Sequence, residues 1–340
     1  GAFVIAAGVA VFLIDILRNL RLTVSEPAGD VWKAGTLEWL PNHAFGARSI
    51  PIVTGRDPLW TQPGLARDVD EGRYYLPGTA TGRRETIVTS AVHARPQYVM
   101  RLPGPGWPHV LAAVFTAAFF LLLTGKLVVP ALACGLAAVL MIIVWMWPSD
   151  PPPGPPVAIG DREFLPIYAS GPASHSWWAM VILILVASAL YLSFVFAYLY
   201  LWTVSPAQWP AWRALPAATA PASVAAALGL SGAALLTARA ALGRHGALCG
   251  LAIALGTAGL IGASALEAAG HWATDLRPQA SGYGALVYAN VLLQVQIAAP
   301  LVVMAGFAIA RLATGRLTAE RRVGLDNLIL WWSYALGQGL

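Results

Sequence analysis

Long apolar runs alternate with shorter polar segments along the chain. A helix crosses the hydrocarbon of a bilayer, about 30 Å, with roughly 20 apolar residues. In lipid, backbone N–H and C=O groups find no hydrogen-bond partners outside the protein, so a span must be a helix or a strand of a closed barrel. The ten-residue alternation of apolar and polar residues that is typical of a membrane β-barrel is missing, so these runs are predicted to be helices. The sequence therefore predicts an all-α, polytopic transmembrane helix bundle. Six full spans are expected at 109–129, 130–147, 177–202, 217–241, 246–268 and 283–312, and two truncated spans at 1–17 and 326–340.

The polar segments divide the chain into four parts. Residues 1–108 contain the first apolar helix and then mostly polar residues punctuated by Pro and Gly, which predicts a long irregular loop. Residues 109–148 are expected to form a two-helix transmembrane hairpin that turns near Lys126. The segment 149–175 begins as a stiff, Pro-rich linker, which is typical of a module boundary. Residues 176–340 are expected to form a five-helix bundle whose last helix is truncated.

Composition and charge agree with a membrane protein. The chain is 58% hydrophobic and only 11% charged, far outside the range of soluble domains. A net charge of +5 would suggest an acidic partner such as nucleic acid in a soluble protein, but here the charges follow the predicted topology. The loops 18–108, 149–175, 239–246 and 311–325 hold 18 of the 21 basic residues, so the positive-inside rule places them in the cytoplasm. Eleven of the fourteen tryptophans flank spans, as an interfacial belt requires.

Both ends of the chain lie inside apolar runs. Gly1–Leu17 is apolar from the first residue and lacks an initiator Met, a basic n-region and a small-residue cleavage site, so it does not resemble a signal peptide. The last run stops at Leu340, about half a span after Asp326. The sequence is therefore expected to be an internal piece of a longer membrane protein.

No arrangement of residues in the sequence predicts a catalytic, cofactor-binding or metal site. The histidines all lie in predicted loops or at span ends: His43, His93, His109, His175, His245 and His271. No two of these histidines share a helix face at i, i+4, and we expect none to pair with Cys or a carboxylate at the spacing of metal ligands. Neither haem nor metal is therefore expected in this chain. Cys134 and Cys249 lie singly in apolar spans, where a small buried hydrophobe is the expected role.

Two ionisable residues within spans are candidates for function, because charge is costly in hydrocarbon. Asp15 precedes Arg18 by three residues at the end of the first span, which favours an interfacial ion pair. Glu267 lies near the end of its span, close to His271 and Trp272. Its carboxylate is expected either at the level of the lipid headgroups or in a buried contact with a neighbouring helix or subunit.

Small and polar residues in the last bundle indicate close helix packing. Asn290, Gln294 and Gln296 are candidates for hydrogen bonds between helices, and Asn290 and Gln294 share a helix face. No Gly run follows a strand, so a nucleotide-binding fingerprint is not expected. Glycines at spacings that let helices approach closely are Gly229, Gly232, Gly250, Gly256, Gly259 and Gly262.

The first predicted loop carries an ordered set of motifs: Trp32, the tetrad Thr36-Leu37-Glu38-Trp39, Ile50-Pro51 and the stretch Arg56–Trp60. This order resembles the cytoplasmic segment that follows the final core helix of subunit I in haem-copper cytochrome oxidases. Two departures concern local backbone conformation, because Val31 stands where the family usually has Pro, and the family's Pro-rich continuation is reduced here to Pro41-Asn42.

The last bundle carries a second set of motifs. Ser176–Met180 opens a helix that ends in Phe194–Trp202, and Gly282–Ala285, Gln294 and the stretch from Asp326 to Gly339 follow in later helices. These features resemble subunit III of the same oxidases, as found in the fused subunit I/III proteins of bacteria. Many relatives carry a carboxylate in the early helix, associated with sustained proton uptake. The matching stretch 186–190 has none, so that role is not assigned to this chain.

Together the resemblances cover nearly the whole chain and imply the C-terminal part of a fused subunit I/III of a cytochrome c oxidase. That enzyme reduces oxygen to water and pumps protons in the bacterial inner membrane. The expected partners are the other helices of the subunit I core, subunit II, membrane lipids and cytochrome c. Haem and copper would bind upstream of Gly1, and this fragment would be accessory and inactive alone. A quinol oxidase of the same superfamily, a transporter and a lipid-binding membrane module are the alternatives.

Overall fold

The computed structural model describes residues 1–19, 32–40, 51–74, 76, 84–104, 106–152, 154–159, 163–171, 174–209 and 219–340. The chain divides into two compact units, Gly1–Glu85 and Thr86–Leu340. Several residues named above lie outside the described residues. They are Val31, Pro41, Asn42, His43 and Ile50.

The first unit contains one apolar helix and several short helical turns. Helix α1 runs from Ala2 to Asn19. A 3₁₀ turn spans Leu37–Trp39, and the short helices α2 and α3 span Pro58–Thr61 and Leu65–Asp70. Leu40, Leu65 and Val69 form a small buried cluster in this unit. The predicted long irregular loop is thus partly helical, because a few apolar side chains in it pack together and fix local turns.

Two small sheets occur outside the apolar helices of the second unit. Strand β1, at its start, spans Glu85–Thr89 and pairs with β2, Pro96–Arg101. In the segment predicted as a Pro-rich linker, β3 spans Val157–Ile159 and pairs antiparallel with β4, Glu163–Leu165. The Val99 amide donates to the carbonyl oxygen of Pro166 at 2.8 Å, which ties β2 to this segment. The linker is therefore more ordered than its proline content suggests.

Every predicted span is a helix. Besides α1, the spans are α4 at Pro108–Thr124, α5 at Val128–Met146, α6 at His175–Val204, α7 at Thr219–Ala241, α8 at Gly246–Ala273, α9 at Gly282–Ala313 and α10 at Val323–Gly339. Six helices in the described part of the chain are long and apolar enough to cross a membrane, and α4 is a shorter apolar helix. The all-α, polytopic class is confirmed, and the chain is a multi-pass membrane protein.

Helices α7 to α10 form the buried core of the second unit. Helices α7 and α8 share the most extensive contact, and α8 packs on α9, which in turn packs on α10. Trp332 of α10 is the largest fully buried side chain in the described residues. Two of the predicted small residues explain the close approach of α7 and α8, because a Cβ on Gly256 would lie 3.2 Å from the Ser231 carbonyl oxygen and one on Gly259 would lie 3.1 Å from Ser231 Cβ.

Helix α6 and the α4–α5 hairpin are less buried than this core. None of the residues of α6 is buried, although the helix contacts α9 and α10. Helices α4 and α5 pack against each other, and among the described residues neither packs extensively along a helix of the α6–α10 bundle. The hairpin therefore contacts the bundle mainly through its ends.

Candidate functional site

The described histidines lie at helix ends and in turns, as predicted, and are far apart in the sequence. His93 is exposed in the turn between β1 and β2. His109 contacts Trp145, with 5.3 Å between ring centroids, and His175 Nε2 lies 2.7 Å from the Thr89 carbonyl oxygen. His245 precedes α8, and His271 lies near its end. Within the described ranges, no three His, Cys, Asp or Glu side chains form a group that could hold a metal ion.

The predicted ion pair between Asp15 and Arg18 is wrong for the described residues. Asp15 instead accepts a hydrogen bond from Asn19 Nδ2 at 2.8 Å, and the same amide group lies 3.0 Å from the Asp15 carbonyl oxygen. Arg18 and Asn19, three and four residues after Asp15, both lie beside it on α1, and it is the Asn19 amide that contacts the carboxylate. The side chain at i+4 satisfies the carboxylate.

The three polar candidates in α9 differ in their roles. Gln294 is buried, and its Nε2 donates to the Ala335 carbonyl oxygen of α10 at 3.1 Å, so the predicted interhelical hydrogen bond is confirmed there. Asn290 donates to Leu286 in its own helix, and Gln296 lies on the exposed side. Only one of the three therefore joins two helices through a described hydrogen bond. Cys249 is fully buried and Cys134 is half-buried, and both are free thiols.

A cluster of charged residues joins the α4–α5 hairpin to the bundle. We call it the Asp150 cluster, and it consists of Asp150, Arg311, Arg316 and Arg321. Asp150 follows α5, Arg311 lies in the last turn of α9, and Arg316 and Arg321 lie between α9 and α10. This end of the bundle, which also carries the α7–α8 turn, is called the basic end below.

Asp150 is held by two arginines. Its Oδ2 lies 3.0 Å from Arg311 Nε, and its Oδ1 pairs with Arg321 Nη2. Arg321 Nη1 also donates to the Pro151 carbonyl oxygen at 2.8 Å. Arg321 is only 3% exposed, so its charge depends on this carboxylate and on the peptide carbonyl beside it for compensation.

Aromatic rings surround the Asp150 cluster. The rings of Trp147 and Phe307 meet edge to face with centroids 5.5 Å apart, which is a direct contact between the hairpin end and α9. The Arg316 guanidinium lies over Trp147 at 4.5 Å from the ring centroid. The Arg321 guanidinium lies over Tyr168 at 5.1 Å. These cation–π contacts bring further attraction to the same junction.

The Asp150 cluster does not follow from the sequence, in which its arginines serve only as markers of membrane topology. One signal was present. Asp150 is the only acidic residue in the long stretch 127–160, and it lies directly before a run of prolines that carries no other charge. Its partners are more than 150 residues away, however, so the pairing follows only from the tertiary fold.

A second ionic group occurs at the basic end. Asp326 near the start of α10 pairs with Arg239 of α7 at 3.1 Å and with Arg322 at 3.3 Å. These three residues line a cavity of about 740 Å³ together with Ser174, Trp177 and Ser333. All three charged side chains are partly exposed, so solvent screens this network.

The two halves of the loop motif come together in the first unit. The indole Nε1 of Trp60 donates to the Lys33 carbonyl oxygen at 2.8 Å, and the Leu59 amide donates to the Gly35 carbonyl oxygen at 2.9 Å. Gly35 is required at this contact, because a Cβ there would lie 2.8 Å from the Trp60 ring. The segment around Thr36–Trp39 is thus fixed against Asp57–Trp60.

Comparison of the chain with protein-family models and with curated proteins found no match. The class of the protein therefore follows from its own fold, which is that of a multi-pass helical membrane protein.

Proposed function

We propose that this chain is the C-terminal part of a fused subunit I/III of a bacterial cytochrome c oxidase, located in the inner membrane. The observation that carries the proposal is the ordered set of loop motifs, with Thr36-Leu37-Glu38-Trp39 at its centre, followed by the subunit III-like motifs of α6, α9 and α10. The parent enzyme would pass electrons from cytochrome c to oxygen and move protons across the membrane.

The packing of the loop motif supports this proposal. The contacts of Trp60 with Lys33 and of Leu59 with Gly35 join the two motif segments, so the residues that carry the resemblance also pack together. In this proposal the loop is a platform on the cytoplasmic side.

The role proposed for the chain itself is structural. The Asp150 cluster holds the two-helix hairpin at the basic end of the bundle, and the exposed apolar faces of α1, α4 and α6 are available to lipid and to other helices of the complex. Haem and copper would be held by helices upstream of Gly1, with subunit II as a neighbour and cytochrome c as the donor. The residues of this chain perform no redox step in the proposal.

Purification of the protein from its native membranes tests this assignment. A tag on this polypeptide should retain haem-containing subunits, with oxygen consumption that depends on reduced cytochrome c. Consumption driven by a quinol instead would identify the related quinol oxidase. A tagged protein that brings down no haem, together with an upstream reading frame lacking six metal-binding histidines, would contradict the proposal.

The isolated fragment gives a second test. Residues 1–340 expressed in detergent should show no haem absorbance, because the proposed ligands lie outside them. Stoichiometric haem binding by the fragment would overturn the proposed location of those ligands.

A further inference from the structure

The cavity of about 740 Å³ beside Asp326, which we call the Asp326 cavity, is large enough for a small organic molecule. It lies at the basic end between the start of α6, the end of α7 and the first half of α10, and α10 packs on both of the other helices. The exposed loop residues Ala319 and Glu320 also line it, so it opens toward the aqueous side. The ionisable candidate Glu267 is not part of this cavity and lies near the other end of α8.

Two arginines bring unused hydrogen-bond donors to the Asp326 cavity. Arg239 and Arg322 each contact the Asp326 carboxylate through Nε, at 3.1 and 3.3 Å. Their Nη1 and Nη2 groups form no hydrogen bond with a described residue, and both side chains are about half exposed. A guanidinium is a planar fork of N–H donors that matches the oxygens of a phosphate. The outer edges of the two forks are therefore available to an oxyanion.

The electrostatic environment favours an anion at these arginines. Helices α6 and α10 both begin here, and their N-cap residues Ser174 and Arg322 line the cavity. The N-terminal end of a helix carries partial positive charge and N–H groups without helical partners. Two carboxylates oppose this charge. Asp326 is shared between the two arginines, and Glu320 is exposed in the loop, where solvent and salt screen it.

Two further residues of the lining suit an aromatic base. Trp177, in the first turn of α6, is half-buried, and an indole ring is a flat surface on which a heterocycle can stack. Asn327 of α10 is only 8% exposed, and its side-chain oxygen has no hydrogen-bond partner among the described residues. It shares a helix face with Val323 and Leu330, which also line the cavity. An amide has donors and an acceptor side by side, as the edge of a nucleobase does.

We propose that the Asp326 cavity binds a water-soluble phosphate ester that carries an aromatic base, the class to which nucleotides belong. The phosphate pairs with the free edges of the Arg239 and Arg322 guanidinium groups. The base lies toward Trp177 and Asn327. Such a site uses side chains from three helices rather than the Gly-rich turn that the sequence lacks. A metal cation is disfavoured, because the two arginines already neutralise the Asp326 carboxylate.

Equilibrium dialysis of the purified protein in detergent tests the proposal with three related probes. AMP carries both the base and the phosphate, ribose 5-phosphate lacks the base, and adenosine lacks the phosphate. We expect AMP to bind at least ten-fold more tightly than either of the other two, because base stacking and charge-assisted hydrogen bonds each contribute about that factor.

Three outcomes of this comparison would overturn the proposal. Equal affinity for AMP and ribose 5-phosphate would show that the base is not recognised. Equal affinity for AMP and adenosine would show that the phosphate is not recognised. Binding of short-chain phosphatidic acid without binding of AMP would assign the arginines to a lipid phosphate instead.

Substitutions locate the site. Arg239→Lys keeps the positive charge but removes the fork, so it should weaken AMP binding about ten-fold. Trp177→Leu should lower the AMP affinity to that of ribose 5-phosphate. The matched controls are Arg244→Lys and Trp178→Leu, exposed neighbours that do not line the cavity. Unchanged AMP binding in both cavity variants would overturn the assignment. The comparison of probes on the wild-type protein decides the proposal even where a variant fails to fold, and it is independent of the proposed oxidase function.

Discussion

Ser231 and Trp332 are joined by a hydrogen bond in the interior of the helix bundle. The indole Nε1 of Trp332 donates to Ser231 Oγ at 3.0 Å, and the same hydroxyl donates to the Gly256 carbonyl oxygen at 2.6 Å. One serine on α7 thereby links α10 to α8. Both Ser231 and Trp332 are buried, so water does not compete for these groups.

Replacement of Ser231 by Ala should therefore destabilise the bundle. The change leaves the Trp332 N–H group without its partner, which costs about 1–3 kcal/mol. Unfolding in mixed detergent micelles, followed by tryptophan fluorescence, measures this loss. Ser193→Ala on α6 is the control, since Ser193 is exposed and bonds only to the Ala189 carbonyl oxygen of its own helix. Equal stability of the two variants would contradict the proposed role of Ser231.

Gly256 should not tolerate a side chain. An added Cβ would lie 3.2 Å from the Ser231 carbonyl oxygen and 3.3 Å from Leu235 Cγ, so Gly256→Ala forces α7 and α8 apart. Overpacking of this kind costs about 1–3 kcal/mol. Gly262→Ala on the same helix is the matched control, because nothing lies within 4 Å of its added Cβ. The unfolding midpoint should fall in the first variant and stay the same or rise in the second.

Asp150 should be essential for docking the hairpin onto the bundle. Asp150→Asn leaves the buried Arg321 guanidinium without its counter-charge, and breaking a buried ion pair in this way costs about 3–5 kcal/mol. Because Asp150 itself is partly exposed, we expect the lower end of that range. Limited proteolysis near the prolines after Asp150 should become faster in the variant.

A double variant distinguishes the ion pair from a general loss of structure. Arg321→Met removes one of the two arginine charges that Asp150→Asn leaves unpaired, the other being Arg311, and keeps apolar contact with Tyr168. The Asp150→Asn/Arg321→Met protein should therefore be more stable than Asp150→Asn alone. Asp275→Asn, at the opposite end, should leave proteolysis near Asp150 unchanged. If the single and double variants were equally unstable, the pairing with Arg321 would not be the source of the effect.

The helices were predictable from the sequence because the bilayer leaves an apolar run only one way to satisfy its backbone. The small sheets were not, because strands such as Val157–Ile159 are only three residues long and depend on their partners. The Asp150 cluster was not predictable either, because its paired charges are more than 150 residues apart in the sequence. The position of Glu267 within a span predicts a candidate site, but which residues of α7 and α9 lie near it follows only from the structure.

Gly35 should be needed for the packing of the loop motif. A Cβ at this position would lie 2.7 Å from Asp57 Cβ and 2.8 Å from the Trp60 ring, so Gly35→Ala should separate the two motif segments at a cost of about 1–3 kcal/mol. Gly55→Ala in the same unit is the control, because its added Cβ meets nothing within 4 Å. Faster proteolysis of this loop in the first variant alone would support the contact.

Glu38 should give the loop motif a measurable pH dependence. A hydrogen bond from the Thr36 side chain holds the pKa of the Glu38 carboxyl below its ordinary value. A carboxyl whose pKa is lowered in the folded state adds stability above the pKa of the unfolded chain, and this contribution is lost as the pH falls through the folded-state pKa. Thr36→Val should raise the Glu38 pKa toward its ordinary value, and carboxyl NMR titration measures the change. A Glu38 pKa that did not move would show that the Thr36 hydroxyl does not hold the carboxylate.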